Sequence, residues 1–167
     1  LKVIDAEFAF YGPIGFDTGM LIANFIMNYF SQKATKHGDA GFADYVLKEI
    51  VSFWSVFTQE WSRLWDNKEI RTDDFGGLYE RNPEILEAIK DQYIKDLWVD
   101  TVGFAGVEII RRIVGVAHNA DFDTIEDLQL KGEREKLALS FARILLKAPQ
   151  KIGTIEDFVQ LARDVNA

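Results

Sequence analysis

Hydrophobic positions in this chain recur mainly at helical spacing. After a short β-branched opening and a Gly-Pro-Ile-Gly turn at 12–15, the run Met20, Leu21, Ile22, Phe25, Ile26, Met27, Tyr29 and Phe30 leaves almost no polar face. Such a run predicts a buried central helix, capped by Asp17 or Thr18 and ending near Ser31. The polar stretch 32–41 reads as a loop. Phe42, Tyr45, Val46, Ile50, Phe53, Trp54, Phe57, Trp61, Leu64 and Trp65 then predict a second helix over 42–65. A loop at 66–81 leads to Asn82-Pro83, an N-cap with proline at the first helical position. Ile85, Leu86, Ile89, Tyr93 and Leu97 carry that helix forward, and Gly103 and Gly106 are expected to loosen it before the apolar run 107–116. The tetrapeptide Thr-Ile-Glu-Asp occurs at 124–127 and at 154–157, and each copy reads as a capping box that starts a helix. Helices are expected at about 133–147 and 155–165. The fold class is therefore mainly α, with a short β stub at the N-terminus.

Composition adds bounds. With 167 residues, 48% of them hydrophobic, the chain suffices for one domain with a sizeable core. A net charge of -8 argues against nucleic acid as a partner, since a phosphate backbone demands clustered Lys and Arg. The apolar stretch 19–30 is too short to cross a bilayer and is broken by Asn24 and Asn28, so no membrane association is expected. With no cysteine there is no disulfide framework, which fits a reducing compartment; the cytoplasm is the expected location and a homodimer the expected assembly. Leu1-Lys2-Val3-Ile4 already reads as the inside of a strand, and a lone strand can neither pair its edges nor bury its face. The expectation is a C-terminal piece of a longer chain.

Candidate chemistry lies in two places. Asp5 and Glu7 follow the opening strand at i and i+2, on one side of it, and two hard oxygen donors there suit Mg²⁺ bound together with substrate phosphates. Their aromatic flank of Phe8, Phe10 and Tyr11 implies burial, where carboxylates need a metal or a cation. Arg111 and Arg112 emerge from the apolar run Ile109-Ile110-Arg-Arg-Ile113-Val114, and Glu108 precedes them at ion-pair spacing. One glutamate neutralises one arginine, which would leave the other free for an oxygen-rich ligand suited to its planar fork. The tryptophans Trp54, Trp61, Trp65 and Trp98 fall at helical spacing and read as core or interface. His118 lacks a spaced zinc-ligand set and reads as a cap at its helix end. Neither G-x-G-x-x-G nor G-x-x-x-x-G-K-[ST] is present.

The segment VIDAEFAFYGPIGFDTG at 3–19, the apolar helix after it, and GFAGVEIIRRIVGVAH at 103–118 with ADFDTIED behind it resemble the C-terminal lobe of methylthioribose kinases. That family shares the protein-kinase-like fold with choline kinases and aminoglycoside phosphotransferases. The likeness runs over the whole chain, densest at 3–30 and 102–127. It implies ATP-dependent phosphorylation of 5-methylthioribose in methionine salvage, with ATP and Mg²⁺ as cofactors and a small sugar as partner. Asp5 and Glu7, with Ala6 between them where the family usually has proline, would match a D-x-E motif holding Mg²⁺ on the ATP phosphates. Arg111 and Arg112 would match paired arginines that face the thioribose and the transferring phosphate. Asp17 would match a buried acid that braces the catalytic loop.

The catalytic-loop aspartate, the ATP-binding lysine and the glycine-rich loop of the family would precede Leu1, so residues 1–167 would be inactive alone. His37-Gly38-Asp39 and Asp74-Phe75-Gly76 spell kinase motifs, but each lies in a polar connection rather than after a hydrophobic strand, and neither is read as catalytic. Two other readings remain open: a small-molecule kinase of the same fold acting on an aminoglycoside, choline or homoserine, and a non-catalytic helical module whose aromatic stripes form a homodimer face.

Overall fold

The structure is a computed structural model that describes residues 10–34, 40–67 and 82–167. Six α-helices account for most of these: α1 (Gly15–Ser31), α2 (Ala40–Trp65), α3 (Pro83–Val114), the short α4 (Ala120–Asp123), α5 (Leu128–Lys147) and α6 (Ile155–Asn166). Short 3₁₀ turns follow α1 at Gln32–Ala34 and α5 at Pro149–Lys151. No strand occurs among the described residues, and the expected β stub at 1–9 lies outside them. The mainly α expectation holds.

The apolar helix α1 is central, as its sequence predicts, and packs against α2, α3, α4 and α5. Its start differs from expectation. The helix begins at Gly15, with Ile14 at the N-cap, and neither Asp17 nor Thr18 caps it. Thr18 instead turns inward, its hydroxyl 2.6 Å from that of Thr101 on α3. The two helices meet almost backbone to backbone there. A Cβ added at Gly19 would sit 2.7 Å from the Thr101 carbonyl oxygen, and one at Gly15 would sit 2.9 Å from the Thr101 nitrogen. Only glycine permits that approach.

Helix α3 is continuous over 32 residues, so Gly103 and Gly106 do not interrupt it. Gly106 lies against α5, where an added Cβ would be 3.2 Å from the Ala142 carbonyl oxygen; close packing offsets the roughly 1 kcal/mol by which glycine weakens a helix. Through a largely aliphatic core runs a chain of rings that crosses the helices. Phe30 meets Phe141, Phe141 meets Phe158 edge-on at 5.1 Å, Phe158 meets Trp98, and Trp98 meets Trp54 at 4.7 Å. Trp98 is buried, and its indole Nε1 donates to the carbonyl of Ile152 at 2.7 Å, so its polar atom is satisfied. Towards the far end of the α2/α3 hairpin, Trp61 stacks on Tyr93 with centroids 5.2 Å apart, and Trp61 and Trp65 are half-buried.

The two Thr-Ile-Glu-Asp copies play different parts. At 154–157 the capping box forms: the Thr154 hydroxyl accepts from the Asp157 amide and the Asp157 carboxylate accepts from the Thr154 amide, each at 3.1 Å. At 124–127 it does not. Thr124 closes α4, and Asp127 is itself the N-cap of α5, accepting from the amides of Gln129 and Leu130. Helix α5 therefore starts at Leu128, earlier than the hydrophobic pattern suggests.

Candidate functional site

The last turn of α3 carries Arg111 and Arg112, and cations are favoured at that negative end of the helix dipole. One turn earlier stands Glu108, whose side chain is only 1% exposed. Its spacing puts it beneath both arginines, at i-3 and i-4. Glu108 Oε2 accepts from Arg111 Nε at 2.6 Å, and Oε1 accepts from Arg111 Nη2 at 2.9 Å and from Arg112 Nε at 2.8 Å. One carboxylate thus holds both guanidiniums. The expectation that one arginine would stay unpaired is corrected: the buried acid is short enough and central enough for Arg111 to grip it with two nitrogens while Arg112 shares an oxygen.

Burial pushes the Glu108 carboxyl up, but the hydrogen bonds and charges of Arg111 and Arg112 outweigh it and hold the group below the ordinary carboxylate range. The Arg111 guanidinium is raised chiefly by its hydrogen bond to Glu108. Arg111 remains 47% exposed and Arg112 32% exposed, so both reach the surface from a buried root. Arg112 Nη1 also donates to the His118 carbonyl at 3.2 Å, which ties the fork to the segment after the helix. Arg111 Nη1 and Arg112 Nη2 have no hydrogen-bond partner among the described residues.

His118 does not cap α3, which ends at Val114; the Gly115 amide closes the turn onto the Arg111 carbonyl, and the exposed His118 contributes only its main-chain oxygen to Arg112. The next segment is fixed to α1: Asn119 caps α4 through the Asp121 amide, and Asn28 Nδ2 donates to Asp121 Oδ1 at 2.8 Å. Lys131 holds Asp123 at 2.7 Å, and that hydrogen bond, more than the neighbouring His118, keeps the Asp123 carboxyl low. Asp17, for which the resemblance implies burial, is exposed in the first turn of α1. The reason is geometric: α1 turns Gly15, Thr18 and Gly19 onto α3, and the residue beside Thr18 faces outward.

Asp5, Ala6, Glu7, His37-Gly38-Asp39 and Asp74-Phe75-Gly76 lie outside the described residues. Among the described residues no group of three or more His, Cys, Asp or Glu could hold a metal ion, and no helix is long and apolar enough to cross a membrane. The side chain that pattern reading undervalued is Glu108. A hydrophobicity profile scores it as polar and outward, and only the i+3 and i+4 arginines signal a buried anchor.

No protein-family model matches the chain. It is similar to a methylthioribose kinase of Escherichia coli O45:K1 (strain S88 / ExPEC), 37% identical over 165 residues that cover 97% of this chain and 39% of that protein. A methylthioribose kinase 2 of Oryza sativa subsp. japonica is 35% identical, covering 95% of the chain and 38% of the relative. A methylthioribose kinase of Geobacillus thermodenitrificans (strain NG80-2) is 38% identical, covering 96% and 36%. The chain spans less than two fifths of the length of these curated relatives. Along nearly its whole length the chain is homologous to the methylthioribose kinases.

Proposed function

We propose that residues 1–167 form the helical C-terminal lobe of an ATP-dependent kinase that phosphorylates 5-methylthioribose at its anomeric hydroxyl, giving 5-methylthioribose 1-phosphate in methionine salvage. The observation that carries this reading is a pair of guanidiniums fixed on one buried carboxylate, in a chain homologous to methylthioribose kinases. Phosphoryl transfer depends mostly on positioning and on neutralising the charge that shifts between oxygens. Arg111 and Arg112 would bind the sugar and the transferring phosphoryl group, for which a planar fork is the suitable donor.

Asp5 and Glu7, flanking Ala6, would hold Mg²⁺, whose hard-donor preference they satisfy; the ion, when bound, offsets charge on the ATP phosphates. The described chain begins beside α3. Phe10 packs edge-on against Phe16, and Phe16 packs edge-on against Phe104 of α3. Phe104 precedes Arg111 by two turns on the same face, about 10 Å along the helix axis. The same reading takes a small sugar as the partner, a homodimer as the assembly and the cytoplasm as the location.

Turnover decides it. Full-length protein with ATP should release ADP when given 5-methylthioribose, and choline, homoserine or an aminoglycoside should not replace the sugar. Turnover on one of those alcohols alone would discard the substrate assignment. Asp5→Asn should lower turnover by orders of magnitude, and near-normal turnover would remove the metal role. Arg111→Lys and Arg112→Lys keep the charge but lose the fork, so at least one should impair use of the sugar.

A further inference from the structure

We infer that Glu108 is a positioning residue for the phosphoryl acceptor, a buried carboxylate that fixes the two guanidinium forks so that Arg111 Nη1 and Arg112 Nη2 are left to face an anionic or oxygen-rich ligand. The inference rests on the kinase reading above and assigns that site a residue it does not name. Ordinary ion pairs at i+3 and i+4 lie on the helix surface and contribute a few tenths of a kcal/mol. Glu108 is different because its side chain is 1% exposed while both partners reach solvent. A carboxylate so buried is costly unless its oxygens are fully engaged, and here Oε1 accepts twice and Oε2 once.

Three consequences follow from the geometry. The Arg111 side chain, gripped through Nε and Nη2, cannot rotate its fork without breaking both bonds. The Arg112 fork is pinned at two points, Glu108 and the His118 carbonyl. Because Arg stays protonated at any working pH, the cluster keeps one net positive charge. A free pair of surface arginines would carry two charges on mobile stems and would have to be ordered at each binding event. Glu108 exchanges part of that charge for a fixed direction, which suits recognition of a sugar hydroxyl next to a phosphoryl group.

Glu108→Gln preserves the shape and removes the charge. In full-length protein we expect the KM for 5-methylthioribose to rise by roughly tenfold or more, with the KM for ATP within about twofold of wild type. Glu108→Asp, which retains a carboxylate on a shorter stem, should recover part of the loss. Wild-type protein itself should show two arginine Nε–H signals protected from solvent exchange by NMR, a measurement that needs no variant to fold. Normal turnover by wild type combined with unchanged sugar KM in Glu108→Gln would overturn the assignment alone. So would equal changes in both KM values, or exchange-labile Nε–H signals for both arginines. A wild-type protein without turnover on methylthioribose would overturn the kinase reading, and this assignment with it.

Discussion

The two halves of α3 are held by opposite means. Its first half lies on α2 through rings: Tyr93 stacks on Trp61 at 5.2 Å and Trp98 packs on Trp54 at 4.7 Å. Its second half has one ring contact, Phe104 on Phe16, and is held by closeness, with Gly19 of α1 against Thr101 and Gly106 against Ala142, and it ends in two guanidiniums held on the buried Glu108. Stacked rings tolerate small shifts because their attraction is broad. Backbone contacts across glycine and a carboxylate shared by two forks do not. The half that carries the candidate chemistry is the one whose position is specified most tightly.

That contrast can be broken at several points. Trp98→Ala removes the ring at the centre of the core and strands the Ile152 carbonyl, and should cost about 3–5 kcal/mol in urea unfolding. A smaller loss would mean that the rings are not the main fastening of the first half. Gly19→Val puts a branched side chain where the Thr101 oxygen lies 2.7 Å from the new Cβ, and an overpacking cost of about 1–3 kcal/mol is expected. If calorimetry finds Gly19→Val neutral, the close approach of α1 and α3 is not a constraint. Tyr93→Leu keeps an apolar group on the hairpin but loses the stacked contact with Trp61, and should cost only about 0.5–1.5 kcal/mol.

The finest test is acid. The folded Glu108 carboxyl titrates below its ordinary value, so below that ordinary value, about 4.3, the unfolded chain takes up the proton first. The stabilisation it gives is therefore complete above that range and is lost as pH falls through the lower folded value. Wild type should lose its advantage over Glu108→Gln in thermal melts as the pH is lowered from 6 towards 3. A gap that is constant across that range would argue that the carboxylate is not held by the arginines.

Much of this architecture was legible because apolar and aromatic residues recur at helical spacing. The stripe from Val46 to Trp65 and the helix start at Asn82-Pro83 follow from local pattern alone, and the helices form where it puts them. Local pattern fails where a partner decides. Thr18 resembles a cap, but Thr101 on another helix claims its hydroxyl. Gly103 and Gly106 read as loosening the helix, but α5 supplies the packing that keeps Gly106 helical. Two identical tetrapeptides differ because Asn119 starts a short helix just before the first copy and leaves its Thr124 to close that helix. The arginine pair was visible as two charges in an apolar run, yet its geometry was not, because the depth of Glu108 depends on how α3 is rolled against its neighbours. Asp5 and Glu7 stand outside the described residues, so for them the sequence remains the whole of the argument.

The unbroken course of α3 has a mechanical consequence. Thirty-two residues at 1.5 Å each make a rod of about 48 Å, with the ring-stacked hairpin at one tip and the charged cluster at the other. Its glycine contacts with α1 and α5 clamp the rod on the side of the charged end, so a disturbance at the ring-stacked end meets that clamp before it reaches the guanidiniums.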